Sequence, residues 1–166
     1  TAMRRPEPHP TRRGQESVWS YPRPPRFEPE GRRVRIELGG VVVADTDRAQ
    51  RVLETSHPPV YYIPREDVRA DLEPNVRSSY CEWKGRAAYL DVGVGDRILE
   101  AVAWSYPKPS AGFGAIAGHV AFYCHVFDRC TVGGEVARPQ PGGLYGGWVT
   151  GDVAGPFKGG PGSWGW

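Results

Sequence analysis

The segment Cys81-Glu82-Trp83-Lys84-Gly85 sets a thiol and an amine three residues apart, with an indole between them. A cation close to a thiol stabilises the thiolate, which is the nucleophilic form. An amine held against apolar rings can act as a base or form an imine with a carbonyl group. Gly85, lacking a Cβ, would let a substrate approach the main chain. Cys81 and Lys84 are therefore the candidate reactive groups. Against that reading, a single cysteine is more often a small buried apolar residue, and a single lysine a solvated charge.

A second concentration of titratable groups lies just upstream, in ETSHPPVYYIPREDV, residues 54–68. Loops that flank a strand commonly carry binding residues, and here two proline breaks flank Val60–Ile63. Glu54 or Asp67 is the candidate general base, or the partner of Lys84 in a buried pair. The bland alternative has Asp67 capping a turn and pairing with Arg65 at the surface. Apolar walls with a few convergent polar groups make a small-molecule pocket. Tyr62, Trp104 and Tyr106 are the candidate walls, and His57 and Arg65 the further candidate substrate-binding residues.

Soft metal ligands are present in Cys81, Cys124, His125 and Cys130, but no CxxC pair occurs. Cys124 and His125, adjacent in an expected strand, would point to opposite faces. No Walker loop, GxGxxG, HExxH or GxSxG occurs either. No metal and no cofactor is expected.

The elements that must position these groups are short strands. Gly 22 and Pro 17 together approach a quarter of the 166 residues, which favours strands and turns over a helical bundle. Val34–Leu38 alternates, Gly39-Gly40 supplies a turn, and Val41–Ala44 follows, which predicts a β-hairpin. Residues 45–55 fit either a short helix capped by Asp47 or an irregular strand. Val60–Ile63 is a predicted strand, and Pro64–Val68 a single helical turn. Arg86–Val92 and Ile98–Trp104 form a second hairpin, and Val120–Tyr123 a further strand. Six to eight mostly antiparallel strands give a mainly β chain, a small barrel or a two-sheet sandwich.

Three parts follow from composition. Residues 1–32 form a proline- and arginine-rich arm, 33–132 the β-rich core domain, and 133–166 an extension rich in glycine and aromatics. Residues 1–33 carry eight Arg against four Glu, so the arm is basic on a mildly acidic body. The extension has too many large rings for a free tail and is expected to act as a strap, pinning them into surface grooves. The hexapeptides Trp19–Pro24 (WSYPRP) and Trp104–Pro109 (WSYPKP) are the same apart from Arg for Lys. Such segments favour a stiff polyproline II conformation. They are expected to frame one cavity or one dimer interface, or merely to cover core edges.

No apolar run approaches the ~20 residues that cross a bilayer, and no secretory signal pattern opens the chain. Three cysteines fit no disulfide framework. A cytoplasmic protein with free thiols is expected, with no membrane partner.

Several segments together resemble the domain-of-unknown-function family 427, over Arg33 to about Asp128. They are PPVYYIPREDV (58–68), YCEWKGRAAYLDV (80–92), AWSYPKP (103–109) and HVAFY (119–123). Both end segments look like the extensions of actinobacterial-type members. The resemblance implies a β-tent-like fold, similar to that of methionine-sulfoxide reductase B and formaldehyde-activating enzymes. Those relatives hold zinc between two CxxC knuckles; this chain has neither, so their metal and chemistry do not carry over. The family is sometimes labelled nucleotidyltransferase. The chain shows no paired-aspartate metal motif, and Lys84-Gly85-Arg86 lacks the aspartate of the covalent-lysine ligase signature, so that activity does not carry over either.

Three functional readings follow. In the first, an aromatic-lined pocket binds a polar small molecule, with Cys81 or Lys84 reactive if the protein is an enzyme. In the second, the WSYPxP segments serve a non-catalytic interaction or homodimerisation module. In the third, the basic arm binds nucleic acid; against this, charge runs are usually solvated faces.

Overall fold

The computed structural model describes residues 5–166, so the first four residues of the predicted arm lie outside the described residues. In chain order the strands are β1 (Glu16–Ser17), β2 (Arg26–Glu30), β3 (Val34–Leu38), β4 (Val41–Thr46) and β5 (Ala49–Leu53). Next come β6 (Val60–Pro64), β7 (Asp71–Cys81), β8 (Gly85–Val94), β9 (Arg97–Ser105) and β10 (His119–Phe122). The last are β11 (Arg129–Val132), β12 (Glu135–Val136), β13 (Arg138–Pro139), β14 (Trp148–Val149) and β15 (Val153–Ala154). Helical structure among the described residues is confined to four single 3₁₀ turns. None is long and apolar enough to cross a membrane.

The architecture is mainly β, as the sequence predicts. Seven strands form one antiparallel sheet in the order β2-β5-β6-β10-β9-β8-β7, and four form a second in the order β12-β11-β3-β4. The sheets stay open and do not close into a barrel. The predicted hairpin across Gly39-Gly40 is β3–β4, both glycines having positive φ. The ambiguous stretch 45–55 contains strand β5, not a helix: its residues bury Ala49, Val52 and Leu53 between neighbours β2 and β6.

Side-chain alternation gives the large sheet two working faces. Along β6, Tyr61 and Ile63 enter a core shared with Val34 and Ile36 of β3, Val43 of β4 and Val132 of β11. Val60 and Tyr62 point the other way, into a cluster with Trp104, Tyr106, Phe113 and Ile116. The first cluster holds the two sheets together. The second lies on the opposite face and carries the cavity described below.

The chain ends pack on each other. β1 pairs in parallel with β15, and the His9 N–H donates to the Gly155 carbonyl at 2.8 Å. Val18, Tyr21, Leu53, Val149 and Val153 form a third apolar cluster there. The Trp19 indole N–H donates to the Pro156 carbonyl at 2.9 Å. The two hexapeptides thus take different roles: the first buries its rings against the tail, and the second walls the cavity.

Candidate functional site

The β7–β8 hairpin positions the thiol–amine segment. Cys81 pairs with Gly85, leaving Glu82-Trp83-Lys84 as the connection. Gly85 has φ +104°, and a Cβ there would sit 3.3 Å from the Lys108 carbonyl and from Ser110 Oγ. The Ser110 N–H donates to the Lys84 carbonyl at 2.9 Å. The turn is therefore clamped against the chain that leaves the second hexapeptide. Lys84 is buried, 9% exposed, with Nζ 5.7 Å from the Tyr106 ring centroid. Among the described residues its ammonium has no carboxylate partner: Glu54 instead lies 3.7 Å from Arg23 Nε and 3.5 Å from His57 Nε2.

His57 follows a residue in the left-handed region, Ser56 at φ +73°. That turn is held by the Ser56 N–H donating to the Val18 carbonyl at 3.0 Å and by the Lys158 N–H donating to the Ser56 carbonyl at 2.9 Å. The tautomer of His57 can be read from Gln140. The Gln140 side-chain oxygen accepts the Gly147 N–H at 3.0 Å, and its nitrogen donates to the Lys158 carbonyl at 2.8 Å. A main-chain N–H can only donate and a carbonyl can only accept, so the amide orientation is fixed. The second amide hydrogen then goes to His57 Nδ1, 2.9 Å away. The imidazole proton lies on Nε2, facing Glu54. Burial first, then Lys158, Arg23 and Lys84, pull the His57 pKa down to about 3. His57 is a neutral donor at physiological pH; its lone pair is committed to Gln140, so it is not a free base.

Around these groups lies a cavity of about 460 Å³. Its walls include Tyr62, Trp104, Tyr106 and Tyr123, with the Trp104 and Tyr123 rings 4.6 Å apart. The Trp104 indole N–H donates to Tyr62 Oη at 3.4 Å. Burial raises the pKa of both Tyr62 and Tyr106, so their phenols stay protonated. The strap closes one side with Gln140, Leu144, Tyr145 and Lys158. Burial, then Arg23, pulls the Lys158 ammonium below its ordinary value, while Glu54 opposes them.

The strap touches the wall directly at Gly146, where a Cβ would overlap Trp104 Cη2. Gly146→Ala is expected to push the indole into the cavity and cost about 1–3 kcal/mol, the usual range for overpacking. Urea unfolding and the tryptophan emission maximum check both effects.

Seven of the nine sequence-predicted site residues line this one cavity: Cys81, Lys84, Glu54, His57, Tyr62, Trp104 and Tyr106. The structure does not bring Arg65 and Asp67 to it. Both lie in the 3₁₀ turn after β6, Arg65 exposed to solvent. Asp67 accepts from Thr46 Oγ1 at 2.7 Å and lies 3.1 Å from Arg48 Nη2, while Val68 bridges to Ala44 of the small sheet. That turn faces the other sheet, away from the cavity. The expected Asp67–Arg65 surface pair is likewise replaced by Asp67–Arg48.

Sequence reasoning missed Gln140, Tyr145 and Lys158, which have no local signal because the strap brings them from far along the chain. The only pointer was the density of rings in a glycine-rich tail. Cys124 and His125 sit in a 3₁₀ turn (residues 124–126), not in the expected strand, and Cys124 and Cys130 are buried. Among the described residues no three His, Cys, Asp or Glu side chains gather as potential metal ligands.

The fold is a two-sheet, mainly β domain whose second face carries a walled cavity. Residues 26–133 match the family model described as Domain of unknown function (DUF427). The chain belongs to that family. Comparison with curated proteins found no match.

Proposed function

We propose that this protein binds a small anionic molecule bearing a planar or aromatic group. The observation that carries the reading is the buried Lys84 ammonium, set in an aromatic cavity without a carboxylate partner among the described residues. A buried cation needs a counter-charge, because desolvation without pairing is costly. Lys158 adds a second positive charge to the lining; of the two lining carboxylates, Glu82 is exposed to solvent and Glu54 is already shared between Arg23 and His57. The aromatic walls supply apolar area and stacking faces for the rest of the ligand. Cys81, half-buried among these rings, serves as apolar wall.

Titration with phenyllactate, followed by tryptophan fluorescence from Trp83 and Trp104, tests the reading. Its uncharged counterpart phenylethanol should bind more weakly. Lys84→Met should weaken phenyllactate binding about 10- to 100-fold, the worth of a hydrogen bond to a charged group. Equal affinity for acid and alcohol, or no effect of Lys84→Met in a folded variant, would rule the reading out.

A further inference from the structure

We infer that the Lys84 amine is a covalent nucleophile and that the ligand class is the α-keto acids with an apolar or aromatic side chain. The inference rests on the binding reading above and assigns separate tasks to the two cavity lysines.

The use of cations in this chain sets lysine apart. Of 21 Lys and Arg residues, only Lys84, Lys108 and Lys158 are lysines. Every salt bridge found between side chains of the described residues uses arginine, apart from the His57–Glu54 contact. Two of the three lysines line the cavity, and Lys108 is exposed. A guanidinium can satisfy a buried negative charge as well as an ammonium can, and often better. What it cannot do is lose its proton and attack a carbonyl carbon.

The two cavity lysines have different surroundings. Lys158 Nζ donates to the Trp166 carbonyl at 3.1 Å and lies 5.8 Å from the Tyr145 ring centroid. It is tethered, with further donors left for a carboxylate. Lys84 Nζ has no hydrogen bond or ion pair within the described residues and lies 5.7 Å from the Tyr106 ring centroid. Its backbone is fixed by Gly85 and Ser110, so the side chain is carried by a rigid hairpin end rather than a loose loop. The proposal divides the ligand among three parts of the lining: the carboxylate toward the side that carries Lys158, the keto carbon at Lys84, and the side chain against Tyr62, Trp104 and Tyr106.

The step balances without any further reagent. The Lys84 ammonium gives up a proton to solvent in the cavity, and the freed lone pair adds to the keto carbon. The keto oxygen takes up a proton to become a hydroxyl, giving a carbinolamine. The nitrogen loses its second proton as the hydroxyl leaves as water, and a C=N bond replaces C=O. One amine and one ketone give one imine and one water, with no change in oxidation state. Glu54 lines the same cavity and exchanges these protons with Lys84 and the keto oxygen through solvent. His57 acts as a positioning residue, its Nε2–H facing Glu54.

The test uses the full chain, phenylpyruvate and borohydride, which reduces an imine to a stable secondary amine. Peptide mapping should find the adduct on Lys84, with Lys108 as the internal surface control and no variant needed. Phenyllactate, which has the same carboxylate and ring but no ketone, should bind without forming an adduct and should suppress trapping by phenylpyruvate. If both acids bind and Lys84 is trapped no more than Lys108, the covalent inference is overturned while the binding reading stands. Trapping on Lys158 instead would overturn the assignment of the amine. If neither acid binds, both readings fall together.

Discussion

Trp148→Ala is expected to destabilise the folded chain by about 3–5 kcal/mol, the range for removing a large buried aromatic. For a chain of this size that corresponds to a fall in melting temperature of roughly 10 °C. Trp148 belongs to the C-terminal strap, yet it is fully buried, 0% exposed, within the core between the two sheets. Its ring lies 5.1 Å from that of Tyr61, and its indole N–H donates to the Phe122 carbonyl at 3.2 Å. Its main-chain N–H donates to the Pro59 carbonyl at 2.9 Å. Alanine would leave a cavity and also an unpaired carbonyl inside it, and the two costs act in the same direction. Trp164 in the same strap is 58% exposed, so Trp164→Ala should stay within about 0.5 kcal/mol of the parent. Urea unfolding of both variants separates the cases. Equal stability would mean that the strap lies on the domain without being part of its core.

This is where the sequence reading of the tail stopped short. Its glycines and rings predict a strap over surface grooves, and Trp164 fits that description. Trp148 does not, because nothing local distinguishes a ring that caps a groove from one that fills the space between two sheets. Gly146 and Gly147, against Trp104 and Pro58, let the chain come close enough to deliver it. The strand β7 escaped the sequence reading for the opposite reason. It is an edge strand, solvated along most of its length, so DLEPNVRSSYC shows no apolar alternation. Its pairing rests on β8, with a register shift between Pro74 and Ser78 and a bond from Asn75 Nδ2 to Asp91 at 2.8 Å. By contrast β3, β4, β6 and β10 were legible, since each has alternating or wholly apolar residues between turn formers.

The site divides along the same line. Cys81 with Lys84, and Glu54 with His57, stand out by residue type beside turn residues, and the sheet brings the two groups to one cavity. Arg65 and Asp67 stand out equally in the sequence. Five residues of β6 separate the cavity side from the small-sheet side, and alternation alone does not say at which end of a strand a pocket opens.

Between about pH 6.5 and pH 4.5 the folded state should lose about 3 kcal/mol through His57 alone. Its pKa in the folded chain is about 3, against an ordinary value near 6.5 in the unfolded chain. Between those values the unfolded state binds a proton that the folded state refuses, so stability falls as the pH falls, by about 1.4 kcal/mol per pH unit. The contribution is fully present above pH 6.5 and goes on declining toward pH 3. Glu30, Asp67 and Asp152 are held below their ordinary carboxylate values. Their contributions also fall with acid, but only as the pH drops past the unfolded carboxylate range near 4. The upper window therefore belongs to the imidazole. Urea midpoints at about pH 7 and about pH 4.5 measure the slope in the parent chain. His57→Gln should lower stability at neutral pH and flatten the slope between these two values, since glutamine binds no proton. A parent slope that is already flat would mean that the imidazole takes up its proton without unfolding anything. Protonation at Nδ1 removes the acceptor for the Gln140 amide, and Gln140 is the residue that ties His57 to the strap at Gly147 and Lys158. Acid should therefore loosen the cavity wall that holds Lys158 before the sheets come apart, and phenyllactate affinity should decline at a higher pH than the urea-free fold does.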